Sequence, residues 1–301
     1  MELGARLRAF AGFVRRGSFT GAAKELRISQ PAVSKHIADM ERDRGVKLIE
    51  RRTRALTAAG EYLASHVLRA EAILAQAAYG VLALREPGLG TLSVRASGTP
   101  GTYLLPDVIA HFQKTHPGMR VNFELGTSAE AVSAVRAHQA EIAVVGGFVA
   151  APEIEAEPLI EDEIVIVGAA SVHTGRMSRD ELESSIWISR EEGSATRVIA
   201  DAALADLGIV PSQRLALPSW EAIKLAVRRG HGIAACSRIS VAEELETRTL
   251  AVIPFVPWKV RRTFSIVRIR DAALTPAAHE FLLMLRARWG HTFSWPSAPV
   301  E

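Results

Sequence analysis

The chain lacks most of the features that mark secreted, membrane-spanning or disulfide-stabilised proteins. Its 301 residues include one cysteine, Cys236, which excludes an intramolecular disulfide framework and fits the reducing cytoplasm where we expect the protein to act. No apolar run reaches the roughly eighteen residues that a membrane span needs, so we expect no membrane partner. Residues 1–16 hold four arginines but no apolar stretch followed by a cleavage site, so we expect no secretory signal.

Patterns of catalysis and cofactor binding are also missing. The nine histidines show no metal-ligand spacing: His111 and His116 are five residues apart, and no cysteine accompanies them. No phosphate-binding glycine loop precedes a predicted helix, and no nucleophile–base set is visible. We therefore expect no enzyme activity, no metal and no cofactor. Cys236 lies in an apolar run, which predicts a buried structural cysteine rather than a redox sensor.

Positive charge is concentrated in the first fifth of the chain. Residues 1–60 contain 13 Lys/Arg and 6 Asp/Glu, whereas residues 61–301 contain 23 and 27. A basic module attached to a slightly acidic body is typical of a nucleic-acid-binding protein with a separate second function. A solvated basic surface is the alternative, and charge by itself does not choose between the two.

The stretch at 17–35 predicts two short helices joined by a tight turn. Ser29 stands where an N-cap belongs, and Pro31 suits the first turn of the second helix. Small and apolar residues at helical spacing can share the buried face of the first helix: Phe19, Ala22, Ala23 and Leu26. Near the tip of the second helix, polar and basic side chains are left to point outward: Gln30, Ser34, Lys35 and His36. A helix-turn-helix uses that tip to contact bases and phosphates in the major groove of DNA.

The neighbouring segments complete a small DNA-binding module. A preceding helix carries an apolar stripe over 3–14 and ends at Gly17, and the helix after the turn ends at Gly45. Residues 47–57 predict a basic hairpin, or wing, that lies along the DNA backbone or minor groove. The DNA contacts that we predict are Ser18, Thr20, Ser29, Gln30, Pro31, Ser34, Lys35, Arg51, Arg52 and Arg54. For each arginine the alternative is a charge that merely faces solvent.

A long helix follows the module. Residues 58–84 contain no proline and place apolar residues three and four apart over several turns. Such a stripe must be buried, and between two domains it usually packs against a copy of itself, so we predict a dimerisation helix. Packing on its own domain is the alternative. Residues 86–88, Glu-Pro-Gly, break the helix and mark a linker.

Strands and helices alternate from residue 91 onward, which is the rhythm of a parallel α/β sheet. The pattern predicts, among others, strands at 92–96 and 163–169 and one helix over 102–116. These units fit two small lobes, with the chain crossing between them near 159–163 and returning near 259–263. A cleft between two such lobes is a natural site for a small ligand.

The motifs of the first module resemble those of the LysR-type transcriptional regulators. They cover nearly all of it and are highly specific: segment 13–23, Ser-Gln-Pro-Ala-Val-Ser-Lys-His-Ile at 29–37 and Leu-Thr-Ala-Ala-Gly at 56–60. Arg44 departs from the family, which has an apolar residue at this position near the end of the helix. The second half is similar more loosely, through Gly-Ser-Ala-Thr-Arg at 193–197 and the segment 219–227.

A narrower resemblance concerns segments 97–106 and 144–147. They look like the subgroup linked to carbon-fixation and to sulfur or cysteine metabolism genes. The family resemblance implies an N-terminal all-α winged helix-turn-helix, a long linker helix and a C-terminal α/β two-lobed, periplasmic-binding-protein-like effector domain. It also implies a homodimer or homotetramer on double-stranded operator DNA, with RNA polymerase as a further partner.

The effector residues follow from this resemblance, in which the starts of two helices face the cleft between the lobes. Hydroxyl groups and backbone N–H groups at helix starts suit an anion, so we expect a small anionic effector. The contacts that we predict are Ser97, Thr99, Thr102, Thr127, Ser128, Gly146, Ser194, Thr196 and Arg197, with Ser128 as the cap of its helix. The alternative is that each is only a helix cap or turn residue.

The sequence thus predicts a ligand-responsive transcriptional regulator in three parts. These are a DNA-binding domain at 1–60, a linker helix at 61–88 and an effector domain at 89–301. Within the last, lobe I spans about 89–161 and 264–301, and lobe II about 162–263. A solute-binding protein without a DNA role is one alternative, and an enzyme built on the α/β half is another. The basic module argues against the first, and the absent catalytic residues argue against the second.

Overall fold

A computed structural model describes residues 3–50, 52–85, 89–147, 151–172 and 175–289. They divide into two compact units. The N-terminal unit comprises Met1–Gly90 with Ala137–Gln139, and the effector unit comprises Thr91–Arg136 with Ala140–Glu301. No helix among the described residues is long and apolar enough to span a membrane.

Among its described residues the N-terminal unit has four helices: α1 (Ala5–Arg16), α2 (Phe19–Leu26), α3 (Gln30–Arg44) and α4 (Ala58–Arg85). Their boundaries follow local rules that the sequence predicts. The side chains of Ser18 and Ser29 accept hydrogen bonds from the N–H groups of Gly21 and Ala32, and so cap α2 and α3. Gly45 ends α3 in the left-handed conformation, at φ +65°.

The core of the N-terminal unit lies where the first three helices meet. The larger side chains buried there are Phe10, Phe13, Val33, Ile37 and Met40. Val33 and Ile37 supply the inward face of α3. Burying one such side chain contributes about 1.5–3 kcal/mol, which is why the apolar spacing specifies the helix packing.

Nine strands and eight α-helices occur among the described residues of the effector unit. The strands are β1 (Gly90–Ser97), β2 (Met119–Gly126), β3 (Ile142–Gly146), β4 (Ile154–Ala169), β5 (Ile186–Ser189), β6 (Gln213–Ala216), β7 (Ala234–Ser237), β8 (Leu250–Val252) and β9 (Val260–Ile269). The helices are α5 (Gly98–Tyr103), α6 (Leu105–Thr115), α7 (Ser128–Arg136), α8 (Arg179–Ser184), α9 (Ala195–Asp206), α10 (Trp220–Arg228), α11 (Ala242–Glu246) and α12 (Pro276–Trp289).

One sheet runs through both lobes of this unit, in the order β2-β1-β3-β9-β4-β7, with β8 paired to β4. Strand β4 carries the chain from one lobe to the other, because its Leu159 packs in the core that contains β1 while its Val165 packs in the core that contains α10. Strand β9 pairs with β4 in antiparallel register from Ile154 to Ile164. A second sheet contains β5 and β6.

Three details of the sequence prediction were wrong. The sheet is mixed, not parallel, because β9 runs antiparallel to both β3 and β4. The predicted helix over 102–116 is two helices, α5 and α6, since Pro106 has no N–H to continue the hydrogen-bond ladder. Thr127, not Ser128, caps α7: its Oγ1 accepts from the N–H of Glu130, and its own N–H donates to the Glu130 carboxylate.

Candidate functional site

The tip of α3 presents its polar residues to solvent. Gln30, Pro31 and Lys35 are exposed, and Ser34 is half-buried one turn into the helix. The buried Val33 and Ile37 hold the opposite face of α3 in the core, so the side chains on the outer face have a fixed direction. Such a helix can offer an amide and an ammonium group to base edges and phosphates.

The two capping serines and Thr20 border this tip. The Oγ atoms of Ser18 and Ser29 each accept a cap hydrogen bond, at 3.1 and 3.3 Å, which leaves their hydroxyl protons for an outside acceptor such as a phosphate. Thr20 is exposed on α2. Arg44, at the last position of α3, is also exposed, so it takes no place in the core.

The wing is a short hairpin with exposed arginines. Ile49 and Leu56 form an antiparallel bridge, and the N–H of Glu50 donates to the carbonyl of Ala55 at 2.8 Å. Arg52 and Arg54 are exposed around its turn. Arg51, the third arginine predicted to contact DNA, lies outside the described residues.

Glu41 anchors the wing to α3, a role that the sequence did not reveal. It is 6 % exposed, and its carboxylate accepts the backbone N–H groups of Leu48 and Ile49 at 2.9 and 3.3 Å and the Nζ of Lys47 at 2.8 Å. Burial raises the pKa of Glu41, but these hydrogen bonds outweigh burial and hold the pKa below its ordinary value of 4.5. The only signal in the sequence is a charged residue on the buried side of a helix.

We expect Glu41→Gln to lower the free energy of unfolding of the N-terminal unit at neutral pH by about 1–3 kcal/mol. Because folding lowers the pKa of Glu41, this contribution is present above pH 4.5 and is lost as the pH falls through the folded-state pKa. Melting curves by circular dichroism at several pH values should therefore show the two proteins converging in acid. Glu50→Gln, in the exposed part of the wing, is the control, and a difference that stays constant with pH would contradict this role.

A cleft of about 400 Å³ lies between the two lobes of the effector unit. Lobe I contributes residues of α5 and the start of α7, and lobe II contributes the segment after β5 and the start of α10. The lining residues that matter chemically are Thr102, Tyr103, Thr127, Glu130, Arg190 and Trp220. Its volume and mixed apolar and polar lining are those of a small-molecule site.

Arg190 and Trp220 form the lobe II wall of this cleft. The Arg190 guanidinium lies 5.3 Å from the centre of the Trp220 ring, a cation–π arrangement, and donates to the Glu191 carboxylate at 2.7 and 2.6 Å. Its Nη1 reaches the backbone of Gly98 in lobe I, where a Cβ atom would lie 3.0 Å away. A side chain at position 98 would crowd the Arg190 guanidinium, the flexible end of that side chain.

Two of the nine predicted effector contacts, Thr102 and Thr127, line the cleft. The structure places the others in the protein's own hydrogen-bond network or at its edge. The Oγ of Ser97 accepts the N–H of Gly146, whose carbonyl accepts the Ser128 hydroxyl, at 3.1 and 2.9 Å.

The remaining four lie deeper or to one side. Thr99 and Thr196 are 4 % and 3 % exposed and both accept from Arg262. Ser194 is buried at the start of α9. Arg197 is 3.5 Å from Asp201 and donates to the backbone carbonyl of Arg190 at 3.2 Å.

Arg262 and Asp162 form a buried ion pair where the two lobes of the effector unit meet. Their side chains are 3 % and 0 % exposed, and the Arg262 Nε donates to Asp162 at 2.7 Å. Two further donations, to Thr196 at 2.8 Å and Thr99 at 3.4 Å, connect Arg262 to both lobes. The other Asp162 oxygen accepts the Ser237 hydroxyl at 2.8 Å. Burial lowers the pKa of Arg262, while Asp162 favours its charged form.

Sequence reasoning missed this pair, although a signal is present. In β9 the buried residues alternate, with Phe264 and Ile266 facing inward, and Arg262 occupies the same inward face. Asp162 likewise lies in the alternating part of β4. A charged residue at an inward position of a strand needs a buried partner, but the pattern does not say which residue that partner is.

Two family models match the chain, one in the N-terminal unit and one in the effector unit. "Bacterial regulatory helix-turn-helix protein, lysR family" matches residues 5–61, and "LysR substrate binding domain" matches residues 85–290. The buried and exposed sides of α3, the wing and the two-lobed unit thus lie within regions that these models describe.

Related proteins extend over nearly the whole chain. The HTH-type transcriptional regulator CysL of Bacillus subtilis is 30 % identical over 289 residues, 94 % of this chain and 96 % of CysL. YeiE of Escherichia coli K12, also an HTH-type transcriptional regulator, is 34 % identical over 281 residues, 92 % of this chain and 94 % of YeiE. The RuBisCO operon transcriptional regulator of Allochromatium vinosum is 28 % identical and covers 94 % of this chain and 96 % of its own length. These relatives agree with the predicted subgroup.

Solved structures share the fold. ArgP from Mycobacterium tuberculosis superposes with a TM-score of 0.75 at 17 % identity, covering 97 % of this chain and 99 % of ArgP. Full-length CbnR in complex with its target DNA has a TM-score of 0.67 at 22 % identity, covering 94 % of this chain and 98 % of CbnR.

Proposed function

This chain belongs to the LysR family of bacterial transcriptional regulators, and from that premise we propose how its two units work. It is a regulator, not an enzyme. The N-terminal unit binds operator DNA through the tip of α3, and the effector unit binds a small molecule that presents an anionic group. Chromosomal DNA as the target implies action in the cytoplasm.

The exposed tip of α3 carries the DNA-binding proposal. Gln30 can pair with adenine through two hydrogen bonds, and Lys35 can reach a guanine or a phosphate. Contacts from Ser18, Thr20 and Ser29 to phosphates would set the register. The exposed Arg52 and Arg54 of the wing, with Arg51 beside them in the sequence, supply charge along the DNA backbone.

Helix α4 supports assembly as a dimer or tetramer. Its Ala64 and Val67 are buried on the core of the N-terminal unit, so the alternative of packing on its own domain holds for the first turns. Farther along, Ile73 and Val81 are 41 % and 62 % exposed and remain available to a second α4. Two modules joined in this way would read a roughly palindromic operator. RNA polymerase is a further proposed partner, and this rests on family membership alone.

The anionic group of the effector is best served by the lobe II wall of the cleft. Arg190 supplies a cation, and the start of α10 supplies the positive end of a helix dipole. Thr102 and Thr127 face it from lobe I. The other predicted contacts at 97, 99, 128, 146, 194, 196 and 197 are proposed to support the cleft walls.

Operator binding is tested by fluorescence anisotropy with DNA from upstream of the protein's own gene and its neighbour. We expect specific binding, and we expect Lys35→Ala to weaken it and to reduce the slope of log K against log salt by roughly one, because one phosphate or base contact is lost. Lys114→Ala, on α6 of the effector unit, should leave both quantities unchanged. An unaltered salt slope in Lys35→Ala would show that Lys35 makes no such contact. If none of these DNAs bound the protein, the DNA-binding proposal would be refuted.

A further inference from the structure

The charges around the effector cleft do not suit a ligand that is only anionic. Among the described residues, three carboxylates line it, those of Glu130, Glu191 and Glu221, against one lining cation, Arg190. Lys224, just behind the wall, is 2.8 Å from Glu221 and 2.9 Å from Glu244. A multiply charged anion would therefore enter a region with an excess of negative charge, at a Coulombic cost.

The three lining carboxylates differ in their partners. Glu191 is held by Arg190, and Glu221 is held by Lys224. Glu130 accepts the N–H and the hydroxyl of Thr127 at 2.7 and 3.0 Å, and among the described residues it has no cation within ion-pair distance. The hydrogen bonds from Thr127 hold the pKa of Glu130 below its ordinary value, so it is charged at neutral pH.

Two hydrogen-bond donors of the cleft residues are unused. Trp220 is 4 % exposed, and its Nε1 is buried with no acceptor among the described residues. The hydroxyl of Tyr103 is also buried and also has no acceptor among the described residues. Buried donors are almost always paired in folded proteins, so two unpaired donors on residues that line one cleft favour a ligand that supplies an acceptor.

Resting on the proposed function, we propose that this cleft binds a zwitterion: a free α-amino acid. Its carboxylate is the anionic group and lies toward Arg190 and the donors of Trp220 and Tyr103. Its ammonium group lies toward Glu130, on the opposite lobe. The ligand then meets a cation and donors at one end and an unpaired carboxylate at the other, and it draws the two lobes together.

The test uses full-length protein, thermal shift and calorimetry with the twenty L-amino acids. Each amino acid that binds is compared with its 2-hydroxy acid, which keeps the carboxylate and replaces the ammonium group by a hydroxyl. We expect at least one amino acid to raise the melting temperature and to bind at least tenfold more tightly than its 2-hydroxy acid.

Variants locate the ammonium partner. Glu130→Gln, which keeps an acceptor for Thr127, should weaken the amino acid at least tenfold while leaving the 2-hydroxy acid unchanged, a split that a merely structural role would not produce. Glu280→Gln, an exposed carboxylate on α12, should change neither affinity.

Three other results would overturn the proposal that the ligand is a zwitterion. They are equal or tighter binding of 2-hydroxy acids, binding of sulfate or phosphate but of no amino acid, or no binding by any amino acid. Operator binding, measured on the same samples by anisotropy, separates these results from a failure of the proposed regulator function, since each ligand result leaves DNA binding intact.

Discussion

Asp162→Ala should lower the free energy of unfolding of the effector unit by about 3–5 kcal/mol, because it leaves the buried Arg262 guanidinium without its counter-charge. The same change also removes the acceptor of the Ser237 hydroxyl. For a unit of this size the loss corresponds to a fall in melting temperature of roughly 6–20 °C. No surface ion pair of this chain should approach that effect, since exposed pairs contribute about 0–1 kcal/mol.

Denaturant unfolding followed by tryptophan fluorescence measures this directly. Every tryptophan of the chain lies at position 187 or later, so the signal reports the effector unit. Glu161→Ala, the exposed neighbour of Asp162, is the matched control and should change stability by less than about 0.5 kcal/mol. The double variant Asp162→Ala with Arg262→Met should recover part of the loss. A single variant as stable as the wild type would refute the role of the pair.

Gly60→Ala should have the second large effect, this time on DNA binding. A Cβ atom at position 60 would lie 2.0 Å from the carbonyl oxygen of Leu48, inside the wing. That carbonyl accepts the N–H of Thr57 at 3.0 Å, so the methyl group forces the wing away from the start of α4 and breaks this pairing. Overpacking of this kind costs about 1–3 kcal/mol, or roughly 5- to 150-fold in operator affinity where binding requires the native wing.

Anisotropy with the operator fragment measures the loss, and circular dichroism checks that the helices persist. Gly4→Ala is the matched control, because its added methyl group meets no atom within 4 Å. We expect the control to bind DNA like the wild type. Operator affinity in Gly60→Ala within twofold of the wild type would show that the wing is not needed for binding.

The sequence predicted more of the structure of the DNA-binding unit than of the effector unit. The reason is that the interactions that shape the DNA-binding unit mostly join residues close together along the chain. The caps at Ser18 and Ser29 and the stop at Gly45 are interactions between residues three to five apart, and sequence patterns record such interactions. The exposed tip of α3 follows from the same spacing. The wing anchor at Glu41 joins groups seven and eight residues apart across a turn, and the pattern contained no rule for it.

Separation along the sequence limits prediction of the effector unit more severely. Arg262 bonds Asp162 across 100 residues and Thr99 across 163, and Arg190 of lobe II meets Gly98 of lobe I. Of the effector contacts predicted from hydroxyl groups at helix starts, Thr102 and Thr127 line the cleft.

By itself the sequence determined the helix boundaries of the DNA-binding unit, the basic tip, the alternation of strands and helices and the family. These depend on local backbone preferences and on apolar spacing, both of which are written in consecutive residues. Only the tertiary structure decided which charged groups are buried together and which donors remain unpaired. The Asp162–Arg262 pair depends on a register between β4 and β9 that 90 intervening residues do not encode locally, so it became visible only once the sheet was formed.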